Sequence, residues 1–141
     1  MSKIRTEDAP ALLLDMIPEA AECIAELYEI PAAEAVRTHH LSVDMFDVLT
    51  AVLVEPILIP QLRSNSPDAE LLQRCFDYTE RLLTSQNSAL SEPIYFQVIE
   101  ALLGEDVPFQ KAFPYIRKAT WERTVLMLKN YEVSVPGVTD R

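Results

Sequence analysis

The chain has 141 residues, 22 acidic against 12 basic side chains for a net charge of −10, 49% hydrophobic residues and only two glycines. That length fits one domain around one core, and the apolar content excludes a disordered acidic tail, which combines charge with low hydrophobicity. The acidic balance opposes nucleic-acid phosphate and anionic lipid headgroups, because binding to either depends on clustered lysine and arginine.

The apolar residues recur at helical rather than strand period, and the prolines fall mostly at the joints. A first helix is predicted over 8–17, and Pro18 opens a second at a position where its missing N–H costs nothing, ending near Ile30. A short turn of helix over 32–38 follows. Ser42 is then the expected N-cap of a strongly apolar helix over 43–54, which Pro56 and Pro60 interrupt. Ser66, Pro67 and Asp68 mark the start of the next helix, 68–84, with Leu71, Leu72, Cys75, Phe76, Thr79, Leu82 and Leu83 on one stripe. A helix over 91–103 places Ile94, Tyr95, Val98, Ile99, Leu102 and Leu103 on its stripe, and Gly104 stops it. A shorter, proline-broken helix spans 107–118, and Thr120 caps the last one, which runs to Asn130. The fold class is therefore all-α: six or seven helices as hairpins, in a right-handed HEAT-like or irregular solenoid or bundle. Residues 1–131 form the domain and 132–141 an extended tail.

At an offset of 37 residues, Leu53, Glu55, Pro56 and Ile57 recur as Leu90, Glu92, Pro93 and Ile94, and Gln73, Phe76 and Tyr78 recur as Gln110, Phe113 and Tyr115. The period lies between tetratricopeptide and HEAT lengths. Each copy would be a helical hairpin opened by Glu-Pro-Ile, with the N-terminal helices as a cap. Two amphipathic hairpins that converge on similar residues account for the same pattern.

Catalytic signatures are missing. Glycines at 104 and 137 cannot build a phosphate loop, and His39 and His40 are adjacent rather than at the i, i+4 spacing that converges on a metal. Cys23 and Cys75 each fall in an apolar helical pattern, which favours buried thiols over a disulfide or a nucleophile. Expected cofactors and metals are therefore none, although a small helical enzyme using Cys23, or His39 with His40, is a third reading beside the two below. The four-residue apolar run before Asp15 is too short for a signal-peptide core, and the longest apolar stretch, 48–60, is shorter than the roughly 20 residues that span a bilayer. The expected compartment is the cytoplasm.

Charge is more informative than any motif. Residues 7–55 hold eleven acids against Arg37 alone, which equals the whole net charge. Within that segment Asp15, Glu19, Glu22, Glu26 and Glu29 step by four and three, the spacing of one helix face, opposite Ala20, Cys23, Ile24, Leu27 and Ile30. Such a stripe is either a solvated face or a docking surface for a basic protein, with Tyr28, Asp44 and Asp47 on adjoining turns as candidate anchors.

The segments LLLDMIPEAAECIAELYEI, LLQRCFDYTERLL and EPIYFQVIEALLG resemble small all-helical bacterial proteins of uncharacterised families, some of which look like immunity proteins of toxin systems. The resemblance implies a HEAT-like fold and a cytoplasmic inhibitor that neutralises a cognate toxin; its motifs are helix patterns, so it assigns no site. The expected function is a non-enzymatic, immunity-like binding protein that meets a basic partner through Asp15, Glu19, Glu22, Glu26, Tyr28, Glu29, Asp44 and Asp47. The alternative is a helical-repeat adaptor or self-associating scaffold with a concave surface around Tyr78, Tyr95 and Tyr115.

Overall fold

Among the described residues, Pro56, Pro60 and Pro93 sit within helices instead of between them. The computed structural model describes residues 4–38, 44–104 and 107–130, and every regular element within these is helical. Eight helices are present among the described residues, slightly more than the sequence predicts. They are α1 (Ala9–Met16), α2 (Ala21–Tyr28), α3 (Ala32–Thr38), α4 (Met45–Arg63), α5 (Ala69–Leu83), α6 (88–102), α7 (Phe109–Ala112) and α8 (Lys118–Asn130). Single 3₁₀ turns, Thr6–Asp8, Pro18–Ala20 and Phe113–Tyr115, lead into α1 and α2 and out of α7.

The predicted break at Pro56 and Pro60 is corrected: α4 runs through both prolines to Arg63. A proline inside an α-helix lacks its N–H and presses its ring on the carbonyl four residues back. Over Leu49–Leu58 the helix widens to i→i+5 bonding, which moves that carbonyl away and admits Pro56. In α6 the same widening, Ile94–Ile99, directly follows Pro93. The two Glu-Pro-Ile sequences thus mark two wide helices, and these pack on each other, with Thr50 Oγ1 donating to Gln97 Oε1 at 2.8 Å.

Several caps also differ from expectation by a few residues. Ser42 lies outside the described residues, and α4 is capped by Asp44, whose Oδ1 accepts the Phe46 N–H at 3.0 Å. Asp68, not Ser66, caps α5 through the Leu71 N–H at 3.1 Å, because a carboxylate one residue before the helix reaches its free N–H groups. Asn87 starts α6 earlier than predicted. Thr120 is no N-cap: α8 begins at Lys118, and the Glu80 carboxylate caps it from α5, accepting the Ala119 and Thr120 N–H groups, both at 2.9 Å, and the Thr120 hydroxyl at 2.8 Å. The predicted tail, 132–141, lies outside the described residues.

Helix α5 is the centre of the fold, with α1, α4, α6, α8 and the 3₁₀ turn Phe113–Tyr115 packed around it. Its predicted stripe is buried except for Leu83, which is half-buried, and Tyr78 joins it with no exposed surface, its hydroxyl donating to the Ala9 carbonyl at 2.8 Å. Burying that phenol stabilises the fold only because the hydroxyl keeps a partner. The N-terminal helices are held on from two further points, since Asn87 Nδ2 donates to the Ile4 carbonyl at 3.0 Å and to Thr6 Oγ1 at 3.1 Å. Helix α4 packs on α2, α5, α6 and α7. It is the one helix among the described residues long and apolar enough to cross a membrane by length and composition, and half of its most apolar window is buried inside the protein.

Candidate functional site

The five acids predicted to share one helix face are divided by a corner. Ile17, at φ −131° and ψ 77°, leaves the helical region, so Asp15 lies in the last turn of α1, Glu19 sits in the 3₁₀ turn, and only Glu22 and Glu26 lie on α2 itself. Glu29 follows α2 in the left-handed region at φ 62°, a position usually given to glycine in helix termini. The stripe is therefore an acidic segment folded over two helices, and the correction follows from Pro18, which opens a new helix instead of continuing the first.

Asp15, Glu22, Glu26, Glu29, Asp44 and Asp47 are exposed, and among the described residues none of them forms an ion pair. Asp44 is partly occupied as the cap of α4. Glu19 differs from the rest. Both its oxygens accept from the Arg74 guanidinium at 2.7 Å, and Arg74 also donates to the Met16 carbonyl at 3.2 Å. That bidentate bond holds the Glu19 carboxyl down at about 2 and raises the Arg74 guanidinium. Glu19 thus ties the α1–α2 corner to α5 and is removed from the free acidic array. Tyr28 is half-buried, and burial raises its phenol.

The tyrosine surface of the scaffold reading is not formed. Tyr78 is inaccessible, and Tyr115 is half-buried in a stack on Phe76 with centroids 6.5 Å apart. Tyr95 remains near the surface, with the Arg123 guanidinium 5.1 Å over its ring. Burial pushes the Cys75 thiol up to about 12, and burial together with Glu26 and Glu22 raises Cys23, so both are poor nucleophiles at neutral pH. His39 and His40 lie outside the described residues. No group of three or more His, Cys, Asp or Glu is arranged to hold a metal among the described residues.

Sequence reasoning missed an exposed aromatic cluster. Phe46, on the first turn of α4, stacks on Phe96 of α6 with centroids 6.4 Å apart and planes 25° apart, and the rings remain 37% and 45% exposed. Tyr95 meets Phe96 edge-on at 5.1 Å. A shallow groove of about 220 Å³ beside them is lined by Ser91, Glu92, Tyr95, Phe96 and Arg123. Two signals for this cluster were present. Phe96 falls off the apolar stripe of its helix, and Phe46 lies between Asp44 and Asp47. Comparison of the chain with protein-family models, with curated proteins and with solved structures finds no match.

Proposed function

We propose that this chain is a non-enzymatic binding protein that neutralises a basic protein partner, in the manner of an immunity protein, by presenting the carboxylates of its N-terminal half. The observation that carries the reading is the contrast between Glu19, paired with Arg74, and Asp15, Glu22, Glu26, Glu29, Asp44 and Asp47, which stand in solvent without a cation among the described residues. Like charges at this density repel one another unless a partner neutralises them, and their field accelerates encounter with a cation by up to a few orders of magnitude, about 10–10³. In the same reading, α4–α5 and α6–α7 are two stacked hairpins of a HEAT-like arrangement. Ties between corresponding helices support this: Thr50 to Gln97 links α4 and α6, and Gln73 Nε2 donates to the Tyr115 carbonyl at 3.1 Å, linking α5 to the turn that ends α7.

The test is a tagged pull-down at low and high salt with the wild type and with Glu22→Lys/Glu26→Lys. The reading predicts one stoichiometric basic protein held by the wild type and lost from the variant. Equal capture by both proteins removes these carboxylates from the mechanism. A second reading, self-association, is favoured by the exposed Phe46–Phe96 stack, and mass that rises with concentration in light scattering would support it.

A further inference from the structure

We infer that the Phe46–Phe96 stack is the anchor of the docking surface and that it receives an arginine side chain of the basic partner, an assignment that rests on the reading above. An exposed pair of stacked aromatic rings offers flat π faces, which attract a guanidinium both by cation–π contact and by stacking. The cluster already holds one guanidinium of the chain, since Arg123 lies 5.1 Å over Tyr95 while Tyr95 meets Phe96 edge-on. Phe46 and Phe96 themselves remain 37% and 45% exposed.

Charge selects the same occupant. Asp44, the cap of α4, and Asp47, on its first turn, flank Phe46 in sequence, and Glu92 lines the groove beside Phe96. Together with Arg123 these groups sum to −2, so a cation is drawn to the site and an anion is not. Asp47 and Glu92 are exposed and form no ion pair among the described residues, leaving carboxylate oxygens free to accept a guanidinium fork. Lysine would take the charge but not the stacking, since its ammonium is a compact and strongly hydrated point charge. Aromatic enrichment at the centre and a polar rim are also general features of protein interfaces.

The probes are two peptides of equal charge, Ac-RGRGRGR-NH₂ and Ac-KGKGKGK-NH₂, titrated at low salt into the wild type, Phe96→Leu and Glu22→Lys/Glu26→Lys, with ring and amide NMR shifts as readout. Leucine keeps the patch apolar and removes the π face. The wild type is expected to bind the arginine peptide about three-fold more tightly than the lysine peptide, the size of one exposed cation–π contact. That preference vanishes in Phe96→Leu, while Glu22→Lys/Glu26→Lys weakens both peptides alike and keeps their ratio. Equal affinities in the wild type, or an unchanged ratio in Phe96→Leu, overturn the anchor and leave acidic docking standing. Failure of both peptides to bind overturns acidic docking as well. Concentration-dependent mass that is lost in Phe96→Leu assigns the stack to a second copy of this chain, which also overturns the anchor.

Discussion

Substituting Glu80 tests how α8 is held. Its carboxylate caps α8 from a different helix, accepting two backbone N–H groups and one hydroxyl at 2.8–2.9 Å. Thr120 is completely buried, so Glu80→Ala leaves an N–H and a hydroxyl without a partner and without water. Bonds to a charged acceptor contribute about 1.5–3 kcal/mol, and stranding a buried donor costs about 1–3 kcal/mol. Because these overlap, the net loss is set at about 2–3 kcal/mol, equivalent to a fall in Tm of roughly 8–12 °C for a chain of this size. Glu80→Gln keeps one acceptor oxygen but removes the charge at the positive end of α8, and is expected to cost about 1 kcal/mol. Urea unfolding reports the totals through Trp121, which packs edge-on against Phe113 at 5.0 Å next to the cap. Hydrogen exchange should show the largest loss of protection in the first turn of α8. If Glu80→Ala costs no more than Glu122→Ala, an exposed control on α8, the cap carries no load and the reasoning fails.

Glu19→Gln should lower stability at pH 7 by about 1 kcal/mol, well below the figure its acid shift alone would imply, because the side chain is 43% exposed and solvent screens the pair. The folded carboxyl titrates at about 2 against an ordinary 4.5, so its contribution is complete above that ordinary value and disappears as pH falls toward 2. Urea curves of the two proteins should therefore converge near pH 2, and a gap of constant size would refute the pairing. Tyr78→Phe removes a buried hydroxyl from the Ala9 carbonyl and should cost about 1–2 kcal/mol in urea unfolding; a neutral substitution would show that the bond contributes nothing net. In a thiol-reagent assay at pH 8, Cys75 should be silent until the chain unfolds while half-buried Cys23 reacts slowly, and rapid equal labelling of both would contradict their burial.

The pattern of buried residues was largely legible in the sequence. Leu71, Leu72, Cys75, Phe76, Thr79 and Leu82 repeat at helical period, and their stripe is the buried face of α5. Helix α3 matches its predicted bounds, 32–38, because Pro31 fixes its start. What escaped the sequence depends on distant partners. Glu19 looks like one more glutamate in an acidic run until Arg74, 55 positions away, takes both its oxygens. Glu80 carries no local sign that it caps a helix 40 residues on. The rule that proline ends a helix assumes i→i+4 bonding, and α4 and α6 evade it by widening. Phe46 and Phe96 come together across α4 and α6, so neither helix pattern alone displays the stack.

The Arg74 fork has a thermodynamic consequence for any partner that meets the acidic segment. By gripping Glu19 and the Met16 carbonyl, it clamps the corner between α1 and α2 onto the central helix before an encounter occurs. Binding then needs to immobilise only a few exposed side chains, at about 0.5–1.5 kcal/mol each. Ordering the backbone of a loose segment would instead cost about 1–2 kcal/mol for every residue. A carboxylate array preorganised in this way meets its partner nearly as a rigid body, and such association is expected to show the small heat-capacity change of surface burial rather than the large one of coupled folding.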